Sequence, residues 1–279
     1  MKYIEEVEKH IIKADEYLKS LIFKLSPLYK KEHGENQDVT VPLFTTLHST
    51  SESILILLLH RSLFDADILL RAVLEGTIKY CYLMIGNDEE KKAKYTEYKV
   101  KLTDIDRLND HKKAIETIDI LKKFSTYCTE PLERSILSDE ELSRLLKLYP
   151  KKEQNKLKRK WSFRKLLESL VESNQEYEAQ LGATSAYSLM SHFGHYDWTG
   201  VLDRNAQIMD SVNSDSVVYD VIHSMRILSN VLNLELLRVM EYIRGNNFYS
   251  QEVLELYKEV YNFGVNLDNL YNELLVSNL

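Results

Sequence analysis

The chain has 279 residues, 44% hydrophobic and 28% charged, a balance that excludes a disordered or collagen-like polymer and allows a large buried core. Its net charge of −7 and pI near 5.7 give no global pull toward nucleic acid or anionic membranes, so any such binding must be local. Only 4 Pro and 8 Gly interrupt the chain, and scarce helix breakers favour long helices with short connections.

Taken in order, Ile4, Val7, Ile11, Ile12, Leu18, Leu21 and Ile22 recur at helical spacing and predict an amphipathic helix over residues 2–25, ending near Pro27. Residues 30–40 are polar and read as a loop. A second helix is expected to begin after Pro42 and run to about His60, and a third, Leu63 to Ile85, either continues it or follows a short break; the third is apolar around almost its whole circumference and therefore buried on most sides. Gly86-Asn87-Asp88 suits a cap and loop. Residues 89–127 suggest one or two charged amphipathic helices, and Pro131 breaks that pattern. Ser138 and Glu141 form a capping-box signature, and helices are expected over Glu140–Leu148, Trp161–Val171 and Tyr177 to about Gly194. Asp197–Ser214, rich in Asn, Asp and Ser, reads as a long loop. Two helices close the chain, Asp215–Ile243 and one capped by Ser250 that reaches about Val276.

No repeat and no alternating β-branched run emerges. The fold class expected is all-α, a multi-helix bundle over residues 1–279, with residues 88–160 as a smaller helical insertion. Cys81 and Cys128 stand apart from any CxxC or Cys/His pairing, which fits a reducing compartment. The N-terminus lacks an apolar signal core, and the longest apolar run, Ile54–Leu59, is far short of the roughly 18–20 residues of a membrane span. The expectation is a cytoplasmic protein without a membrane partner.

Two segments carry polar chemistry where it is expensive to keep. Arg71, Glu75, Lys79 and Tyr82 follow one another at i, i+4, i+8 and i+11 inside the apolar third helix. Buried there, each charge requires a partner. The group serves either as a structural ion pair or as a cleft wall that binds an anion or positions a catalytic group. Tyr187, Ser191 and His195 share a second helical face, with His192 beside them. A His next to hydroxyls can move protons near neutral pH, or the group can simply satisfy a helix end. No HExxH, Cys cluster or ExxH pair supports a metal site, and no GxSxG, P-loop or GxGxxG indicates acyl transfer or a nucleotide cofactor. No cofactor is expected. The basic run Lys147–Arg164 includes Lys156, Lys158, Arg159 and Lys160, followed by Trp161 and Phe163. Such residues can hold a phosphate backbone and stack bases, or form an ordinary solvated helix face.

The segments LLRAVLEGTIKYCYL (69–83) and YSLMSHFGH (187–195) resemble a widespread bacterial family, known only as a helical domain of unknown function, whose members pair an LLRxxLE helix with a later YxxxSxxxH. The likeness covers about residues 40–205. It implies that Arg71, Glu75, Tyr187, Ser191 and His195 meet in one pocket. A looser resemblance is to the HEPN helical superfamily, whose ribonuclease members use Arg-x4–6-His at a helix end and act in anti-phage or toxin systems. Arg107-x3-His111 is one residue short of that spacing, so a ribonuclease would need His195 or His192 to join Arg71 or Arg204 from another helix.

Two functions follow as expectations. One is a helical binding or scaffold module of a bacterial defence system with a pocket at Arg71, Glu75, Tyr187, Ser191 and His195. Its partners would be a small anionic ligand, RNA, a protein or a second copy. The alternative is a metal-independent ribonuclease-like effector with His195 as general acid/base.

Overall fold

Among the described residues, apolar positions recurring every third or fourth residue organise into thirteen α-helices, and no strand occurs. The structure is a computed structural model that describes residues 2–29, 37–124, 128–195, 197–210, 216–246 and 250–277. The protein is an all-α multi-helix bundle, and the described chain divides into two compact units.

Unit 1 comprises residues 1–85 and 167–279. It contains α1 (Lys2–Tyr29), α2 (Gln37–Leu59), α3 (Leu63–Met84), α10 (Ala183–His195), α11 (Trp198–Asp210), α12 (Ser216–Gly245) and α13 (Gln251–Ser277), with a 3-10 segment at Gln175–Gly182. Helix α3 lies at its centre, packed by α2, α12 and α10, while α1 lies on α2, α12 and α13. Helices α2 and α3 approach closely at Gly76, where a Cβ would lie 2.3 Å from the Leu47 side chain. They are separated at His60–Ser62 by Arg61, whose φ of 56° is left-handed and ends α2.

Part of this core is ionic. Arg238 on α12 is fully buried; its Nη1 donates to Thr77 Oγ1 (2.6 Å) and its Nη2 to Ser51 Oγ (3.1 Å) and the Glu235 carboxylate. His48 Nδ1 donates to the other Glu235 oxygen at 2.9 Å. Burial alone would raise the Glu235 carboxyl, but Arg238 and His48 outweigh it and hold it below the usual range. A second buried carboxylate, Asp67, accepts from His223 Nε2 (2.6 Å) and from Arg226 (2.7 Å).

Unit 2 comprises residues 86–166. It contains α4 (Asp88–Thr96), a π-helical segment Glu97–Leu102, α5 (Thr103–Leu121), α6 (Glu130–Glu133), α7 (Asp139–Leu148) and α8 (Lys151–Lys160). Helix α9 (Phe163–Ser173) carries the chain from this unit back to unit 1. Gly86 adopts φ +96°. Asn87 then caps α4, accepting from Glu90 N at 3.0 Å while Glu90 accepts from Asn87 N at 2.9 Å. A core of Leu108, Leu137 and Leu145, with Leu142 and Tyr149 packed on it, joins α5 to α7. His111 Nδ1 accepts the Leu137 amide at 3.0 Å, which fixes that ring nitrogen as an acceptor.

Several boundaries differ from expectation. Pro42 lies inside α2, not at its start, whereas α1 ends at Tyr29, close to Pro27 as expected. Pro42 falls in the second turn of α2, where it forgoes one backbone bond, and the start of α2 at Gln37 leaves residues 30–36 of the expected loop outside the described residues. Residues 198–210 form α11 and not a loop; residues 211–215 lie outside the described residues. Asp197 caps this helix, with Oδ1 accepting from Gly200 N at 3.1 Å. Only half of the expected capping box at α7 forms. Ser138 Oγ accepts from Glu141 N (3.2 Å), but the Glu141 carboxylate turns instead to Arg107 (2.7 Å). The stretch expected as one helix from Tyr177 is a 3-10 segment followed by α10. Helix α2 is long and apolar enough over Val39–Leu59 to cross a membrane, with mean hydropathy 1.2, although no single apolar run is long. Scattered polar residues conceal that average, and two of them, His48 and Ser51, are spent on the buried ionic cluster.

Candidate functional site

Arg71 and Glu75 are one turn apart on the flank of α3 that faces α10, and Tyr187, near the start of α10, reaches between them. Arg71 Nη2 donates to the Tyr187 hydroxyl at 3.1 Å, and that hydroxyl donates to Glu75 Oε2 at 3.4 Å. The guanidinium carbon also lies 4.8 Å from the Tyr187 ring centroid, within cation–π range. Lys79, one turn further on, donates to Glu75 Oε1 at 2.8 Å. Burial of the half-buried Glu75 opposes its charge, but Lys79, Tyr187 and Arg71 outweigh that effect and hold its carboxyl below the usual range. Glu75 is thus an anion with its partners in place.

Arg71 is not matched to the same degree. Its Nε is buried without a hydrogen bond, and among the described residues the Tyr187 hydroxyl is its one hydrogen-bonded partner. Gly194 lies over the other arm of the fork: a Cβ there would be 3.6 Å from Arg71 Nη1.

The remaining expected residues are placed differently. Ser191 is half-buried, His195 is exposed, and neither makes a hydrogen bond or ion pair among the described residues. Tyr82 is buried at the far end of α3. His192, in contrast, is held in place: its Nδ1 donates to the Asp197 carboxylate. That bond, followed by the Gly200 amide, keeps the Asp197 carboxyl below its usual range. A Cβ on Gly200 would lie 2.4 Å from His192 O, so this glycine permits the close crossing of α10 and α11. Among the described residues no group of three or more His, Cys, Asp or Glu side chains is placed to hold a metal ion.

The neighbouring flank of α3 opens onto a groove of about 950 Å³, lined by Leu70 and Leu74, Met190 of α10, Arg226 and Arg244 of α12 and Tyr257 of α13. Arg71, Glu75 and Tyr187 are not in its wall. On its rim Arg244 donates to Glu176 at 2.7 Å.

A model of the family of unknown function DUF5677 matches residues 37–211. The chain belongs to that family. No characterised protein and no solved structure matches it. The DUF5677 match runs from the start of α2 to just past α11, so it contains the Arg71–Tyr187–Glu75–Lys79 group whole. It also contains His48 and Asp67, but their α12 partners Glu235, His223 and Arg226 lie beyond it.

Sequence reasoning missed the α12 charges. The signal was present: Glu235 and Arg238 interrupt the apolar run LNLELLRVM (232–240), just as Arg71 and Glu75 interrupt theirs.

Proposed function

We propose that this DUF5677 protein is a non-catalytic helical binding module that takes a small anionic ligand on the Arg71 guanidinium. One observation carries the reading: Arg71 is held in place by Tyr187 while its Nη1 side, beneath Gly194, has no protein acceptor among the described residues. Arginine's fork suits carboxylate and phosphate oxygens, and Glu75, already engaged by Lys79 and Tyr187, does not neutralise it by direct contact. Thermal unfolding with millimolar inorganic phosphate or AMP tests this. A ligand that binds only the native state stabilises it by about 2.7 kcal/mol at a hundred times its Kd. The parent's Tm is expected to rise with one of these probes, and Arg71→Gln and Gly194→Val to lose the response while still folding. A parent that responds to neither anion, or an Arg71→Gln form that responds equally, overturns the reading.

A second reading, a metal-independent ribonuclease, is supported by the His192–Asp197 pair, because a carboxylate that orients an imidazole is the arrangement a general acid/base uses. It moves the proton-transfer role from His195 to His192. RNA incubated with the protein and a chelator is then cleaved by the parent and by His195→Ala but not by His192→Ala.

A further inference from the structure

The two units carry opposite charge. Residues 86–166 hold 21 Lys and Arg against 15 Asp and Glu, while the rest of the chain holds 15 against 28. The acidic total of the whole molecule therefore conceals a basic unit 2.

Within that unit, α8 sorts its cations by face. Gln154, Leu157 and Trp161 form its buried seam. Lys158, flanking the seam, reaches Asp106 (4.0 Å), and Lys160 reaches Glu97 (2.6 Å). Lys152, Lys156 and Arg159, at i, i+4 and i+7, lie on the opposite side of the helix. Their side chains are exposed and make no hydrogen bond or ion pair among the described residues. The stripe is about 10 Å long at 1.5 Å rise per residue. Lys151 at the start of α8 and Lys147 at the end of α7 are likewise exposed and without such partners. Of the four residues singled out from the sequence, Lys156 and Arg159 belong to this open face, while Lys158 and Lys160 are engaged with carboxylates.

The aromatic residues beside the run do not accompany it. Trp161 is 5% exposed, stacks on Tyr98 and donates Nε1–H to Glu97 at 3.0 Å; Phe163 is buried as well. Single-strand binders combine cations with aromatic platforms for the bases, and membrane-surface helices place apolar residues beside their cations. The open side of α8 itself has neither, and the exposed apolar residues nearby, Leu146 and Leu148, flank Lys147 on α7. What it offers is a row of cations, which fits a dense array of phosphates. Duplex nucleic acid carries one charge per about 1.7 Å of axis.

We propose that the Lys152–Lys156–Arg159 face of unit 2, extended by Lys147 and Lys151, docks on the phosphate backbone of double-stranded nucleic acid without reading its sequence. Fluorescence anisotropy with the full chain and 20-base-pair DNA and RNA duplexes of two unrelated sequences tests it. Binding is expected to a duplex, alike for both sequences, and to weaken at least tenfold from 50 to 200 mM salt. Each phosphate contact contributes about 0.9 to the slope of log K against log salt, so Lys152→Glu/Lys156→Glu/Arg159→Glu should flatten that slope and weaken binding more than tenfold. The milder Gln triple guards against misfolding and should weaken binding in the same direction. Lys158→Gln, on the carboxylate-paired side, should leave binding within twofold, and so should Arg71→Gln, which separates this site from the small-anion site of unit 1. No duplex binding, tighter binding to single strands or to phosphatidylserine vesicles, or triple variants that bind as the parent does overturns the proposal.

Discussion

In unit 1 the bulkiest fully buried side chain is Arg238, and Glu235, Asp67, His48 and His223 are buried with it. Unit 2 closes over Leu108, Leu137 and Leu145 and, among the described residues, buries no Asp, Glu, Lys or Arg. The same side-chain types are thus used in two ways. In unit 1 they join helices distant in sequence, and each depends on its partner because water is absent. In unit 2 they remain in contact with solvent, where a pair contributes little to stability but the surplus sets the electrostatic field. Damage to the buried charges of unit 1 should therefore be felt as instability, and damage to the exposed cations of unit 2 as lost binding.

The largest test of this contrast is Arg238→Met. It leaves Glu235 buried beside His48 alone and removes the donors to Thr77 and Ser51, which costs about 3–5 kcal/mol. Urea unfolding should show it, and Arg238→Met/Glu235→Leu should recover part of the loss. Equal stability of the single variant and the parent would end the comparison. Next, Leu145→Ala removes the centre of the small apolar core and costs about 2–4 kcal/mol. Hydrogen exchange should show the lost protection within residues 86–166.

The smallest effect concerns Lys94. Burial, aided by the nearby Lys160 and Lys91 charges, lowers its pKa to about 8. A folded pKa below the unfolded value means the unfolded chain binds more protons between about pH 8 and 10.5, so stability rises with pH across that window. Because Lys94 is half-exposed, the gain is about 1 kcal/mol or less after solvent screening. Unfolding midpoints of the parent measured against those of Lys94→Met should show the difference grow in the parent's favour from pH 7.5 to 10.5, while the buried Cys81 thiol and tyrosines, whose pKa values are raised, act alike in both.

The helical class was legible throughout because the apolar spacing of three and four recurs in nearly every segment. Arg71 and Glu75 were legible for a related reason, since charges inside an apolar run must find partners. That Tyr187 is the partner followed from no spacing rule; it depends on α10 crossing α3. Helix α11 was hidden by the Asp, Asn and Ser content of residues 197–214, and its apolar residues Trp198, Leu202 and Met209 are exposed, so its spacing marks no buried face. The ionic core at Glu235 and Arg238 is not visible in the apolar stripe of α12 alone. On α8, composition gave the number of cations, but only the direction of each around the helix separated Lys156 and Arg159 from Lys158 and Lys160.

The chain's 2 tryptophans fall one in each unit, Trp161 at 5% exposure and Trp198 at 73%. Their fluorescence therefore differs in kind. Trp161 emits from a dry, stacked setting, shielded from iodide, while Trp198 emits as a wet indole open to quenching. With Trp198→Phe in place, the red shift of the remaining emission becomes a label-free optical record of unit 2 opening.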